Sequence, residues 1–162
     1  EGFSNMNFIF TGANADAGGQ TINECIQEYV LKHENCRYYA SLGARRYLSL
    51  LKDSSMIIGN SSSGIIEAPC FGIPTVNIGI RQKGRLQSDG IINCGVNAEE
   101  IKKAIQYARS EQGKERAKKA VNPYGKGDTS AGIVKEIKNY LKTQGNTRKK
   151  FYDIPGWNTI GE

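Results

Sequence analysis

Residues 59–85 constrain the fold of this chain more than any other part of its sequence. An apolar run at 56–58 leads into the stretch, three consecutive serines follow at 61–63, and a second apolar run lies at 75–78. This order predicts a strand, a tight polar turn, a helix and a second short strand. A loop with three basic residues, 81–85, closes the stretch.

The same alternation of apolar runs and helical patterns extends along the chain, which is typical of an α/β domain with a parallel sheet. Strands are predicted at 7–12, 37–42, 56–58, 75–78 and 91–94. Helices are predicted at 20–32, 45–52, after Ser61, at 97–110 and at 131–142. Asn97 and Glu100 have the spacing of a capping box. We predict a Rossmann-like parallel sheet flanked by helices over 1–143, and a C-terminal tail at 144–162.

The serine turn has the composition of an anion-binding site. Its hydroxyls and backbone N–H groups lie at the predicted start of a helix, where negative charge is favoured. Ser63 and Glu67 share a helix face, so the Glu67 carboxylate can accept two sugar hydroxyls about one turn behind a phosphate. Arg81 and Arg85 can pair with phosphate oxygens from the far side. A serine-rich helix cap with a surface Glu is the alternative, but the combined spacing favours a sugar nucleotide.

Other polar loops follow the first and second predicted strands, and ligands of open α/β sheets bind beyond the carboxyl ends of strands. Asn14 can reach toward a sugar, and the loop after Leu42 can offer backbone groups to a pyrimidine edge. Asn14 and Asp16 lie in a glycine-rich loop, where such residues often only form turns. For Asp16 the two interpretations weigh equally, and Leu42 could simply end a strand.

Three motifs carry a resemblance to a known family: Asn-Ser-Ser at 60–62, Glu-Ala-Pro at 67–69 and Arg-Gln-x-Gly-Arg at 81–85. Together they resemble the C-terminal, UDP-binding half of the hydrolysing UDP-N-acetylglucosamine 2-epimerases, in the branch that feeds sialic and nonulosonic acid synthesis. The resemblance extends from about residue 8 to about residue 154. It implies that UDP contacts fall on Asn14, Leu42, Ser61, Ser62, Glu67 and Arg81.

The resemblance also implies what this chain lacks. Members of the family are two-domain enzymes of the glycosyltransferase-B type, which eliminate UDP across C1–C2 of the hexosamine and then add water. Their acid and base carboxylates lie in the N-terminal domain. We therefore expect the chain to be a fragment with no catalytic residue of its own, whose partner is that domain and whose ligand is a UDP-sugar.

Two other functions stay open. One is the nucleotide domain of a glycosyltransferase, because the architecture is shared. The other is a basic nucleic-acid-binding module, since the net charge is +6 and residues 102–150 hold fourteen Lys and Arg against four Asp and Glu. Those charges lack an aromatic stacking platform, so solvated helix faces are favoured over a nucleic-acid site.

The four cysteines form no Cys-x-x-Cys pair, so we expect neither a metal site nor a cofactor. Buried, reduced thiols in a cytoplasmic protein are the preferred interpretation. No apolar run approaches the ~20 residues of a membrane span. The helix at 131–142 and the segment 151–154 carry apolar faces, which we expect to be exposed or covered by a second copy.

Overall fold

A computed structural model describes residues 2–15, 17–125, 127 and 129–143. The chain divides into two compact units, 1–124 and 125–162, and each is described by itself. Among the described residues, the first unit contains all the strands and five α-helices, and the second contains one helix.

The strands are β1 (Phe8–Thr11), β2 (Cys36–Tyr39), β3 (Ile57–Gly59), β4 (Thr75–Ile78) and β5 (Ile91–Cys94). The helices are α1 (Gly19–Leu31), α2 (Gly43–Asp53), α3 (Ser63–Ile66), α4 (Ala98–Arg109), α5 (Glu111–Lys119) and α6 (Thr129–Thr143). A 3₁₀-helix, Ala68–Phe71, follows α3. Except for α5 and the 3₁₀-helix, each element was predicted, most of them to within a few residues, and the fold is α/β as expected.

The strands pair in parallel, but they form two sheets within the described residues, where one was predicted. β1 pairs with β2, and a second sheet has the order β3-β4-β5. Phe3 is associated with both sheets: it packs against the core cluster that contains Val76 of β4, and it lines a cavity of about 390 Å³ together with Phe8 and Phe10 of β1. Periodicity identified the strands correctly, but it carries no information about which strands pair.

The core lies between the three-stranded sheet and α4. Val76 in β4 is fully buried and packs against Ala104, Ile105 and Ala108. β4 is the central strand, and its first three residues are buried, as expected of a parallel strand covered on both faces. This packing fixes the carboxyl ends of β3, β4 and β5 relative to one another.

The start of α4 follows its predicted capping box. The Glu100 backbone N–H donates to Asn97 Oδ1 at 2.9 Å, and the Glu100 carboxylate accepts from the Gly95 N–H at 2.6 Å. α5 was missed because Gly113 and a high density of charge weaken its helical pattern. Ser110 caps it by accepting from the Gly113 N–H at 3.1 Å.

α6, in the second unit, has no buried residue, and its apolar side chains Ile133, Val134, Ile137 and Leu141 are exposed. The segment 151–154 lies outside the described residues. None of the helices in the described parts of the chain combines the length and apolar character that a membrane span needs.

Gly64→Ala should destabilise the first unit, because an added Cβ would lie 2.8 Å from Thr75 Cγ2. Thr75 also donates a buried hydrogen bond of 2.7 Å to the Gly64 carbonyl, so α3 cannot easily move away. We expect a loss of about 1–3 kcal/mol in the free energy of unfolding, measured by urea denaturation. Gly132→Ala in α6, whose Cβ would have open space, is the control. Equal stability of both variants would contradict the close packing of α3 on β4.

Candidate functional site

The serine turn lies between β3 and α3. The Ser62 carbonyl accepts from the N–H groups of Ile65 and Ile66, both at 2.9 Å, and Ser61 Oγ accepts from the Ser63 N–H at 3.3 Å. α3 has only four residues, because the chain tightens into a 3₁₀-helix around Pro69, which has no N–H. The helix predicted after Ser61 is therefore present but short, and the local N–H and hydroxyl groups, rather than a large helix dipole, make the turn suitable for an anion.

Glu67 follows directly on α3 and is half-buried. Its backbone N–H donates to the Ser63 carbonyl at 2.9 Å, so the two residues are one turn apart as predicted. Its Oε2 atom is buried and has no hydrogen-bond partner among the described residues. An unpaired buried carboxylate oxygen is costly and ready to accept a hydroxyl.

Tyr47 of α2 completes this cluster, although the sequence analysis did not single it out. Its hydroxyl lies 2.5 Å from Ser63 Oγ. Burial raises the pKa of Tyr47, the hydrogen bond with Ser63 lowers it, and the negative charge of Glu67 raises it further. The sequence gives only a weak signal for this role, a hydroxyl on the otherwise apolar side of an amphipathic helix.

The loop 79–90 connects β4 to β5 and carries Arg81 and Arg85, which are both exposed. Gln82, between them, is buried, and its Nε2 donates to the Asn60 carbonyl at 2.8 Å. This bond holds the basic loop against the start of the serine turn. Arg81 and the turn therefore belong to one region at the carboxyl ends of β3 and β4.

A cleft of about 360 Å³ lies on the same loop, beside the ends of β4 and β5. Asn77 donates to Asn93 at 2.7 Å, and Asn93 donates to Gln87 at 2.8 Å. Lys83 and Arg85 also line the cleft. The sequence analysis predicted the basic residues of this loop but not the row of amides.

The predicted residues Asn14 and Leu42 follow the strands of the other sheet. Asn14 is exposed. Its carbonyl oxygen lies so close to Gly19 that a Cβ added to Gly19 would be 2.0 Å from that oxygen. Asn23 of α1 fixes this loop by accepting from the Ala13 N–H at 2.7 Å. Leu42 is half-buried at the start of α2. Asp16 lies outside the described residues.

The cysteines differ in part from the expectation. All four are free, and Cys36 is buried, but Cys25 and Cys70 are exposed. Cys25 lies in α1 and Cys70 lies in the 3₁₀-helix, and burial was the wrong prediction for both. Within the parts of the chain that the structure describes, no group of His, Cys, Asp and Glu side chains could hold a metal ion.

The raised pKa of Tyr47 predicts a pH dependence of stability. Its pKa in the folded state lies above the ordinary value of 10.0. The contribution of protonated Tyr47 to the free energy of unfolding is therefore complete below pH 10. It is lost as the pH rises through the folded-state pKa. We expect the free energy of unfolding to fall above pH 10, and Tyr47→Phe to reduce that fall. Urea denaturation between pH 7 and 11 measures it, with the exposed Tyr39→Phe as control; identical profiles for both variants would contradict it.

Comparison with known proteins identifies the family to which the chain is similar. Residues 1–138 match the family model described as UDP-N-acetylglucosamine 2-epimerase. The chain is 38% identical over 148 residues to the polysialic acid biosynthesis protein P7 of Escherichia coli, covering 91% of this chain and 38% of that protein. It is 44% identical over 112 residues to the GDP/UDP-N,N'-diacetylbacillosamine 2-epimerase (hydrolyzing) of Campylobacter jejuni, covering 68% of this chain and 29% of that enzyme.

A solved structure shows the same fold. The structure of S. aureus MnaA with UDP aligns with a TM-score of 0.53 at 18% identity, over 93% of this chain and 49% of that one. The chain thus spans about half of this structure and less than two fifths of the curated relatives. Since the family model matches most of the chain, the protein belongs to the UDP-N-acetylglucosamine 2-epimerase family.

Proposed function

We propose that this chain is the UDP-sugar-binding part of a hydrolysing UDP-N-acetylglucosamine 2-epimerase, which converts UDP-N-acetylglucosamine to N-acetylmannosamine and UDP. The observation that carries the proposal is the position of the half-buried Glu67 one turn behind the serine turn, with the basic loop held against that turn by Gln82. Two curated relatives, one named as a polysialic acid biosynthesis protein and one as a hydrolysing diacetylbacillosamine 2-epimerase, support a role in making sialic-acid-type surface sugars.

Each predicted residue has a role in this proposal. Ser61 and Ser62 donate to the diphosphate, and Glu67 accepts the ribose diol. Arg81 pairs with phosphate oxygens. The remaining roles belong to the ends of the other sheet: backbone groups near Leu42 for the uracil edge, and Asn14 and Asp16 for the sugar.

The reacting groups belong to the rest of the enzyme in this proposal. The chain spans 38% of the E. coli relative, and the residues assigned here bind the nucleotide. The partner of this chain is the other domain of the same protein. The site needs neither a cofactor nor a metal. The protein works in the cytoplasm. A second copy could cover the exposed apolar side chains of α6.

The two alternatives have less support. A glycosyltransferase domain would share the fold, but the family match favours the epimerase. A nucleic-acid site would need free cations, whereas on α5 Lys114 pairs with Glu111 at 2.9 Å and Glu115 pairs with Lys118 and Lys119 at 3.8 and 3.5 Å. These exposed pairs are typical of a solvated helix face.

Arg81→Ala tests the phosphate side of the proposal. We expect it to weaken binding of both UDP and inorganic pyrophosphate, because the guanidinium would contact phosphate in both ligands. The loss should be larger at low salt, where the charge is less screened. Isothermal calorimetry of this chain at two salt concentrations measures it, with Arg116→Ala on α5 as a charge-matched control. Unchanged affinity for pyrophosphate would contradict the role of Arg81.

A further inference from the structure

We propose that Gln82 is a positioning residue, which holds the basic loop on the serine turn and increases the affinity of the site for the diphosphate. This inference rests on the proposed function and deepens it. Gln82 would not touch the ligand but would act through the peptide group that opens the turn.

The burial of Gln82 sets it apart from its surroundings. Only 3% of its surface is exposed, whereas Arg81, Lys83, Gly84, Arg85 and Leu86 are all exposed. Glutamine is rarely fully buried in proteins. Within residues 81–86, Gln82 is thus the one side chain that faces inward.

The side-chain hydrogen bond of Gln82 reaches across 22 positions in the sequence. Its Nε2 donates to the Asn60 carbonyl at 2.8 Å. That carbonyl shares a peptide group with the N–H of Ser61, which has no acceptor among the described residues. A donor at one end of a peptide group polarises it and strengthens the N–H at the other end. Gln82 therefore both aims this N–H and makes it a stronger donor for a phosphate oxygen.

The oxygen of the Gln82 side-chain amide indicates that this residue does more than stabilise the fold. Its Oε1 atom is buried and has no partner among the described residues. Burying an unpaired acceptor is unfavourable and offsets the gain from the Nε2 bond. Asn60, by contrast, is exposed, so water can replace the bond if the amide is removed. An apolar side chain of similar length should therefore cost the fold little while it disturbs the turn.

Two variants of the 162-residue chain test this role. Gln82→Met keeps the length without the donor, and Gln82→Asn keeps an amide that is too short to reach Asn60. Calorimetry is carried out with UDP and with uridine, which lacks the diphosphate. Comparing the two ligands separates the contribution of the serine turn to binding from that of the rest of the site. We expect both variants to bind UDP about tenfold more weakly, while uridine affinity changes less than about twofold. The melting temperature of Gln82→Met should not fall, and Gln106→Met on α4 is the control.

Each result that contradicts the expectation has a different consequence. A loss of uridine affinity as large as that of UDP would show that Gln82 acts only by stabilising the structure, and would overturn the proposal. UDP affinity that stays unchanged in both variants would overturn the role of Gln82 and leave the UDP site standing. Absence of UDP binding by the unaltered chain would overturn the proposed function, and this inference with it.

Discussion

Glu67→Gln is expected to weaken UDP binding by this chain at least tenfold and to leave the binding of inorganic pyrophosphate unchanged. The Glu67 carboxylate has a buried oxygen without a partner among the described residues, and in our proposal two ribose hydroxyls donate to it. A charge-assisted hydrogen bond of this kind contributes about 1.5–3 kcal/mol. The neutral amide can accept from only one hydroxyl and turns a donor toward the other. Pyrophosphate has no ribose, so its affinity should not depend on residue 67.

The control for this experiment is Glu99→Gln, an equal change of charge on the exposed first turn of α4. Comparing the two variants removes the general effect of a lost negative charge on anion binding. If Glu67→Gln bound UDP as tightly as the unaltered chain, the ribose role of Glu67 would be wrong, and the strongest argument for a sugar nucleotide would be lost.

Local sequence predicted most of the secondary structure, because helix caps and apolar periods are encoded within a few residues. Asn97 and Glu100 are an example: their spacing predicted the hydrogen bond that starts α4. The helix predicted after Ser61 is present but has only four residues, and the reason for its short length is also local. Pro69 cannot donate a backbone hydrogen bond, and the chain tightens into a 3₁₀-helix.

Contacts between residues far apart in the chain could not be predicted from the sequence. Tyr47 and Ser63 are 16 residues apart, and Gln82 and Asn60 are 22 apart, yet these pairs organise the candidate site. No periodic pattern encodes such a meeting, because it depends on how α2 and the loop after β4 are placed by the sheet. The division of the strands into two sheets was unpredicted for the same reason. From the sequence pattern, Tyr47 is an apolar helix position and Gln82 is a loop residue. Their roles at the site follow only from the three-dimensional structure.

This chain, by itself, is expected not to release UDP from UDP-N-acetylglucosamine. Elimination across C1–C2 needs a base that removes the C2 proton and groups that stabilise the departing UDP. The proposed site supplies the second requirement through the serine turn and Arg81. Its carboxylate, Glu67, is assigned to the ribose, which lies away from C2 of the hexose. We therefore expect binding without turnover.

A coupled assay for released UDP measures this, with calorimetry on the same sample to show that UDP binds. Binding with no release above the background of buffer is the expected result, because a positioned acid or base typically contributes about 10²–10⁴-fold to the rate. Turnover that persists through repurification, and that Glu67→Gln abolishes, would mean that Glu67 is a base rather than a ribose ligand. Turnover that survives Glu67→Gln would place the acid and base elsewhere in these 162 residues. In either case the division of labour between a nucleotide-binding part and a reacting part, on which the proposed function rests, would be wrong.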